Sequence, residues 1–152
     1  MNSNTQSGGL IINQPSPPSQ VKQIFTRMDP NGGPATGYYR SRSISSPGSF
    51  FMPFIMPQQF DTLVGIFLWI IPTVTEADRS IGIDSFWGPP GGSITANADT
   101  STIVGGLTAS QHTIMDFTAS YTGILAGDLP SARVQNYDAQ LIWCVGIIVR
   151  YI

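Results

Sequence analysis

Charged side chains are scarce in this chain: Asp, Glu, Lys and Arg make up 11% of its 152 residues, against roughly 25% in ordinary soluble domains. Glutamate occurs once, at Glu76, and lysine once, at Lys22. The chain therefore lacks the residues that usually cover helix surfaces and pair along them, and a helical protein is disfavoured. Basic residues are few and scattered, and the net charge is −2. Nucleic-acid binding, which needs a basic stripe to displace counterions from phosphates, is disfavoured too. The single cysteine, Cys144, has no internal disulfide partner and sits in an apolar run typical of a buried thiol. With one histidine, His112, and one cysteine far apart, zinc and copper ligand sets are improbable. Long hydrophobic runs are missing as well. The two longest, residues 63–71 (LVGIFLWII) and 141–149 (LIWCVGIIV), fall short of the ~20 residues a bilayer-spanning helix needs. A single strand of that length would need a closed barrel around it, so no membrane insertion is expected. Residues 1–9 lack the basic-then-apolar order of a signal peptide.

Glycine (16) and proline (12) are abundant, and they punctuate short apolar runs. Strands are predicted at residues 21–28, 38–44, 49–56, 62–71, 79–87, 103–107, 112–118, 131–135 and 141–152. Pro53 removes a ladder donor, which predicts an edge position or a bulge for its strand. Residues 88–102, rich in Gly, Pro, Ser, Asn and Asp, read as a long exposed loop. Residues 121–126 read as one helical turn ended by Gly127-Asp128. About eight strands without a convincing long helix predict an all-β domain over residues 21–152: a single β-sandwich, most naturally a jelly roll. Residues 63–71 and 141–149 are apolar on both alternating sets, so each strand must be covered on both faces. One fits the centre of the sandwich; the outer face of the other calls for a cover, most simply a second copy of the chain.

Residues 1–20 (MNSNTQSGGLIINQPSPPSQ) cannot bury enough apolar surface to fold alone. They read either as a disordered tail or as an extended arm that lays Leu10, Ile11 and Ile12 on a neighbour.

Chemistry-bearing constellations are sparse. Any nucleophilic triad would have to use His112, and no Gly-x-Ser-x-Gly elbow accompanies it; an exposed strand-end histidine is the simpler reading. No pair of carboxylates is marked by its surroundings for glycoside chemistry, and Asp84, Asp116 and Asp128 are accounted for by turns near strand ends. The Gly88-Pro89-Pro90-Gly91-Gly92 loop lacks the Lys and following helix of a phosphate cradle. No catalytic residue, cofactor or metal site is therefore expected, although residues 97–101 offer oxygen atoms of the kind calcium takes. Phe86-Trp87, with Asp84, Asn97 and Asp99 nearby in sequence, could form a sugar-stacking platform. The plainer reading is that Trp87 caps one end of the core.

Several short segments carry a resemblance. They are Tyr38-Tyr39-Arg40-Ser41, Gly48-Ser49-Phe50-Phe51, the spaced Pro57, Phe60, Leu63 and Val64, and the strand and loop of residues 81–91. Met115-Asp116-Phe117-Thr118, Leu125-Ala126-Gly127-Asp128 and the closing VGIIVRY complete the set. Over residues 37–152 the chain resembles small jelly-roll structural proteins of tailed-bacteriophage virions, such as head decoration proteins, head fibres and tail appendages. The resemblance implies a non-enzymatic virion component assembled in the host cytoplasm and commonly trimeric. Its implied partners are other copies of itself and virion proteins such as the major capsid protein. The alternative is a glycan- or receptor-binding tip module of a phage tail or head fibre, with a host-surface glycan as its partner. Residues 1–36 match no family pattern.

Overall fold

The computed structural model describes residues 20–28, 42–44, 48–137 and 140–152. These residues form nine strand segments and one short helical turn. The segments are β1 (Lys22–Arg27), β2 (Arg42–Ile44), β3 (Gly48–Pro53), β4 (Leu63–Pro72), β5 (Glu76–Trp87), β6 (Thr95–Leu107), β7 (Thr113–Asp116), β8 (Ser131–Asn136) and β9 (Ile142–Tyr151). The protein is all-β, and every strand pairing is antiparallel.

Five strands make one sheet in the order β1-β9-β4-β7, with β2 also pairing on β9; four make a second sheet in the order β3-β8-β5-β6. The pairings are nested: β1 and β2 with β9, β3 with β8, β4 with β7, β5 with β6. The two doubly apolar strands, β4 and β9, are neighbours inside the five-stranded sheet. One alternating set of their residues, Ile66, Leu68 and Ile70 with Ile142, Cys144, Ile147 and Val149, enters the core. There it joins Ile81, Ile83 and Trp87 of β5, Ala132 and Val134 of β8, and Met52 of β3. One apolar core thus takes residues from both sheets. A register shift between Trp69 and Ile70 against β9 marks a bulge at Val145, which resets the alternation from Cys144 to Ile147. Pro53 ends β3, an edge strand, where a missing donor costs nothing in the ladder.

Two local expectations are corrected. The segment expected as a loop over residues 88–102 is a loop only to residue 94, because β6 starts at Thr95 and pairs continuously with β5 from Trp87↔Thr95 to Asp78↔Val104. Among the described residues β6 pairs with β5 alone, and an antiparallel edge strand accepts a polar sequence. The β5–β6 connection turns at Pro89-Pro90-Gly91-Gly92, with Gly92 N–H donating to Pro89 C=O (2.9 Å) and Gly91 at φ +74°. Proline before a positive-φ glycine is the type II turn pattern. The helical turn lies at Thr118–Tyr121 rather than over residues 121–126. Asp116 Oδ1 accepts from Thr118 N–H (2.8 Å) and starts the turn early, and Gly123 at φ +87° ends it.

Candidate functional site

Alternation along β5 decides which side chains can meet a partner. Ile81, Ile83, Ser85 and Trp87 are buried on the core side, so Gly82, Asp84 and Phe86 lie on the outer face of the four-stranded sheet. On β8, Ala132 and Val134 enter the core, which puts Arg133 and Gln135 on the same outer face. The register sets Asp84 opposite Arg133. There the guanidinium Nη2 of Arg133 donates to Asp84 Oδ2 in an ion pair, and Gln135 Nε2 donates to the same oxygen at 3.3 Å. Asp84 is only 6% exposed, and the pairing answers the cost of burying a charge there.

Aromatic rings flank this pair. Phe51 of β3, 60% exposed, packs on Phe86 with ring centroids 5.9 Å apart, and the Arg133 guanidinium sits 5.9 Å from the Phe51 ring centre. A hollow of about 300 Å³ opens beside them, lined by Asp84, Phe86, Ala96, Asn97 and Arg133. A second, of about 200 Å³, lies between Gly48, Ser49, Gln135, Asn136 and Tyr137.

The residues singled out from the sequence are thus divided. Asp84 and Asn97 come together at one hollow. Asp84 is a mid-strand residue of β5 rather than a turn former, because its partner is Arg133 across the sheet. Asn97 lines the hollow while its side-chain Nδ2 reaches the Ser120 carbonyl at 3.5 Å. Trp87 does not belong to the surface: 7% exposed, it packs at a tilt with its ring centre 5.7 Å from that of Tyr121, which meets Phe54 edge-on at 5.3 Å. Its place at the end of β5 on the core-facing set takes it inward, as the plainer reading expected. Asp99 occupies the β6 position opposite Ile83. Leu10, Ile11 and Ile12 lie outside the described residues. Phe86, expected with Trp87 in a stacking platform, does line the hollow, whereas Arg133, Phe51 and Gln135 complete it and its rim without having been singled out as site residues.

The outer face of the five-stranded sheet is different in character. Its register rows read Phe25, Ile148, Phe67, Asp116 and then Arg27, Gly146, Trp69, Ile114. The Phe25 ring lies over Gly146, where any Cβ would collide with it, and packs 5.6 Å from Trp69. Trp69 Nε1–H donates to His112 Nδ1 (3.0 Å), with the two rings edge-on. Arg150 covers Phe67 at 4.9 Å. Phe25 and Ile114 remain 38% and 45% exposed. This face is aromatic at its centre and carries its charges, Arg27, Arg150 and Asp116, around it.

Two isolated carboxylates have local duties, as the sequence suggests. Asp116 holds the helical turn, and Asp128 Oδ2 accepts from Leu125 N–H (2.8 Å). Among the described residues no group of three or more His, Cys, Asp or Glu could hold a metal ion, and no helix is long and apolar enough to cross a membrane. No protein-family model matches the chain, and no curated protein matches it. The functional reading therefore rests on geometry and on the resemblance described above.

Proposed function

We propose that this chain is a non-enzymatic structural subunit of a virion, a capsid decoration or fibre-type protein built on a jelly roll. The observation that carries the reading is the nested pairing of first strand with last, second with second-last, and so inward. With β1 and β2 taken as one interrupted edge strand, this is an eight-stranded antiparallel ribbon folded over into two four-strand layers. Viral capsid domains are among the principal users of that architecture. The aromatic outer face of the five-stranded sheet supports self-association, since interface cores are rich in aromatic residues and poor in charge. The resemblance adds a trimer as the expected oligomer and the major capsid protein as a partner. In this reading residues 1–20 are the docking arm, with Leu10, Ile11 and Ile12 as the apolar anchor for strand addition to a neighbour.

The test is incorporation into particles. Full-length protein is expected to co-sediment with assembled particles, and a variant lacking residues 1–20 to keep its β far-UV spectrum and stay in the soluble fraction. Normal incorporation of the truncated protein would remove the arm from the proposal. Failure of the full chain to associate with any particle would remove the virion reading. A second reading, a glycan- or receptor-binding tip module on the same architecture, is favoured by one observation, the hollow beside Asp84 and Arg133.

A further inference from the structure

The geometry points to that hollow as a binding site for one ring of a neutral saccharide, an inference that rests on the tip-module reading and is independent of the decoration-protein reading. Its chemistry is specific in three respects. First, the carboxylate is only half used: both hydrogen bonds that Asp84 accepts end on Oδ2, and Oδ1 accepts none among the described residues. Second, the guanidinium meets the carboxylate through Nη2 alone rather than as a two-bond fork; among the described residues Nη1 meets no acceptor, and Nε is buried with none. Third, Phe86 lines the hollow from the same face.

These groups select by charge and by shape. The Asp84 and Arg133 charges offset one another, so neither an anion nor a cation gains from entering. A ligand that offers donors and acceptors side by side does gain: one hydroxyl can donate to Asp84 Oδ1 while its neighbour accepts from Arg133 Nη1, both charge-assisted bonds. The C–H face of the same ring rests on Phe86. A volume of about 300 Å³ lies at the lower end of ligand pockets, roughly 300–1,000 Å³, which limits the site to about one ring. Asp84 is nine-tenths buried and held by two donors, so the acceptor is positioned before the ligand arrives.

The experiment is saturation-transfer NMR on the full chain with lactose, maltose, cellobiose and the acidic sialyllactose, followed by titration of whichever binds. Three variants accompany the wild type. Phe86→Ala removes the stacking face, Asp84→Asn removes the charged acceptor, and Ala96→Phe fills the hollow from the exposed edge strand without touching the ion pair. Thermal melts of each variant separate lost binding from lost folding, and Ala96→Phe carries the test if Asp84→Asn does not fold. The expected result is transfer to at least one neutral disaccharide, weakened at least tenfold by Phe86→Ala and by Ala96→Phe. Absence of transfer to all four saccharides overturns both the site and the glycan-binding form of the tip-module reading. Neutral-saccharide binding that Ala96→Phe leaves intact overturns the site while the tip-module reading stands. Binding of sialyllactose alone overturns the charge argument and with it the proposal.

Discussion

Cys144 lies on β9 with no solvent exposure, and that burial, partly offset by a backbone hydrogen bond at Gly146, pushes its thiol up to about 12 from the ordinary 9.0. Two outcomes are expected. A thiol reagent should leave the native protein unmodified and label it only in denaturant, because the reactive species is the thiolate. The unfolded chain loses this proton near pH 9 and the folded one only near 12, so the contribution of Cys144 to stability is whole below pH 9. It declines as pH rises through that window, by about 1.4 kcal/mol per pH unit for one group. Tyr121 is shifted in the same direction by burial and adds to the decline above its ordinary 10.0. Urea unfolding of wild type and Cys144→Ala between pH 8 and 10 checks this: the wild type should lose stability faster. Equal slopes would show that burial does not govern the thiol. The burial of Cys144 was legible in the sequence, from the apolar run around it. The site was legible only in part. Alternation from Ile81 and Ile83 already assigns residues 84 and 86 to one face and Trp87 to the other, yet proximity in sequence groups all three. Arg133 lies 49 residues from Asp84, and no local signal joins them.

The elements themselves were largely legible, because Gly, Pro and Asp mark their ends and alternation marks their faces. The exception is β6, where an edge strand with one partner tolerates a sequence with the composition of a loop. Another end was not legible at all. The ladder between β4 and β7 stops at Phe67↔Asp116, and the next donor along β4, Ile66 N–H on a buried residue, is taken by Thr118 Oγ1 at 3.0 Å. That hydroxyl in turn donates to Asp116 Oδ1. A side chain of the helical turn therefore continues the sheet where the strand has ended. Thr118→Val keeps the shape and removes the acceptor, leaving a buried donor unpaired, which costs about 1–3 kcal/mol. Chemical denaturation should report a loss of that size with the far-UV spectrum unchanged. A loss below the scatter of the measurement would mean that water replaces the hydroxyl.

The whole molecule has two outer sheet faces, and they ask for different partners. The four-stranded face holds the buried charge of Asp84 in a pair beside a hollow of single-ring size. The five-stranded face collects Phe25, Phe67, Trp69, Ile148 and Ile114 because β4 and β9 are apolar on both alternating sets and stand side by side. From the sequence alone the excess of apolar surface was visible, but not that both strands direct it to a single face. A second copy of the chain is the cover proposed here, and Ile114 is the residue on which to test it. It projects from the edge strand β7 opposite Trp69, outside the core, so Ile114→Lys brings a charge to the face without emptying the interior. Multi-angle light scattering at micromolar concentration should give an oligomer for the wild type and a folded monomer for Ile114→Lys. Phe51→Ser, a change on the opposite sheet, should leave the oligomer as it is. A monomeric wild type would sink self-association altogether. An oligomer that survives Ile114→Lys but dissociates with Phe51→Ser would instead move the interface to the four-stranded face, where it would compete with the saccharide for the same surface.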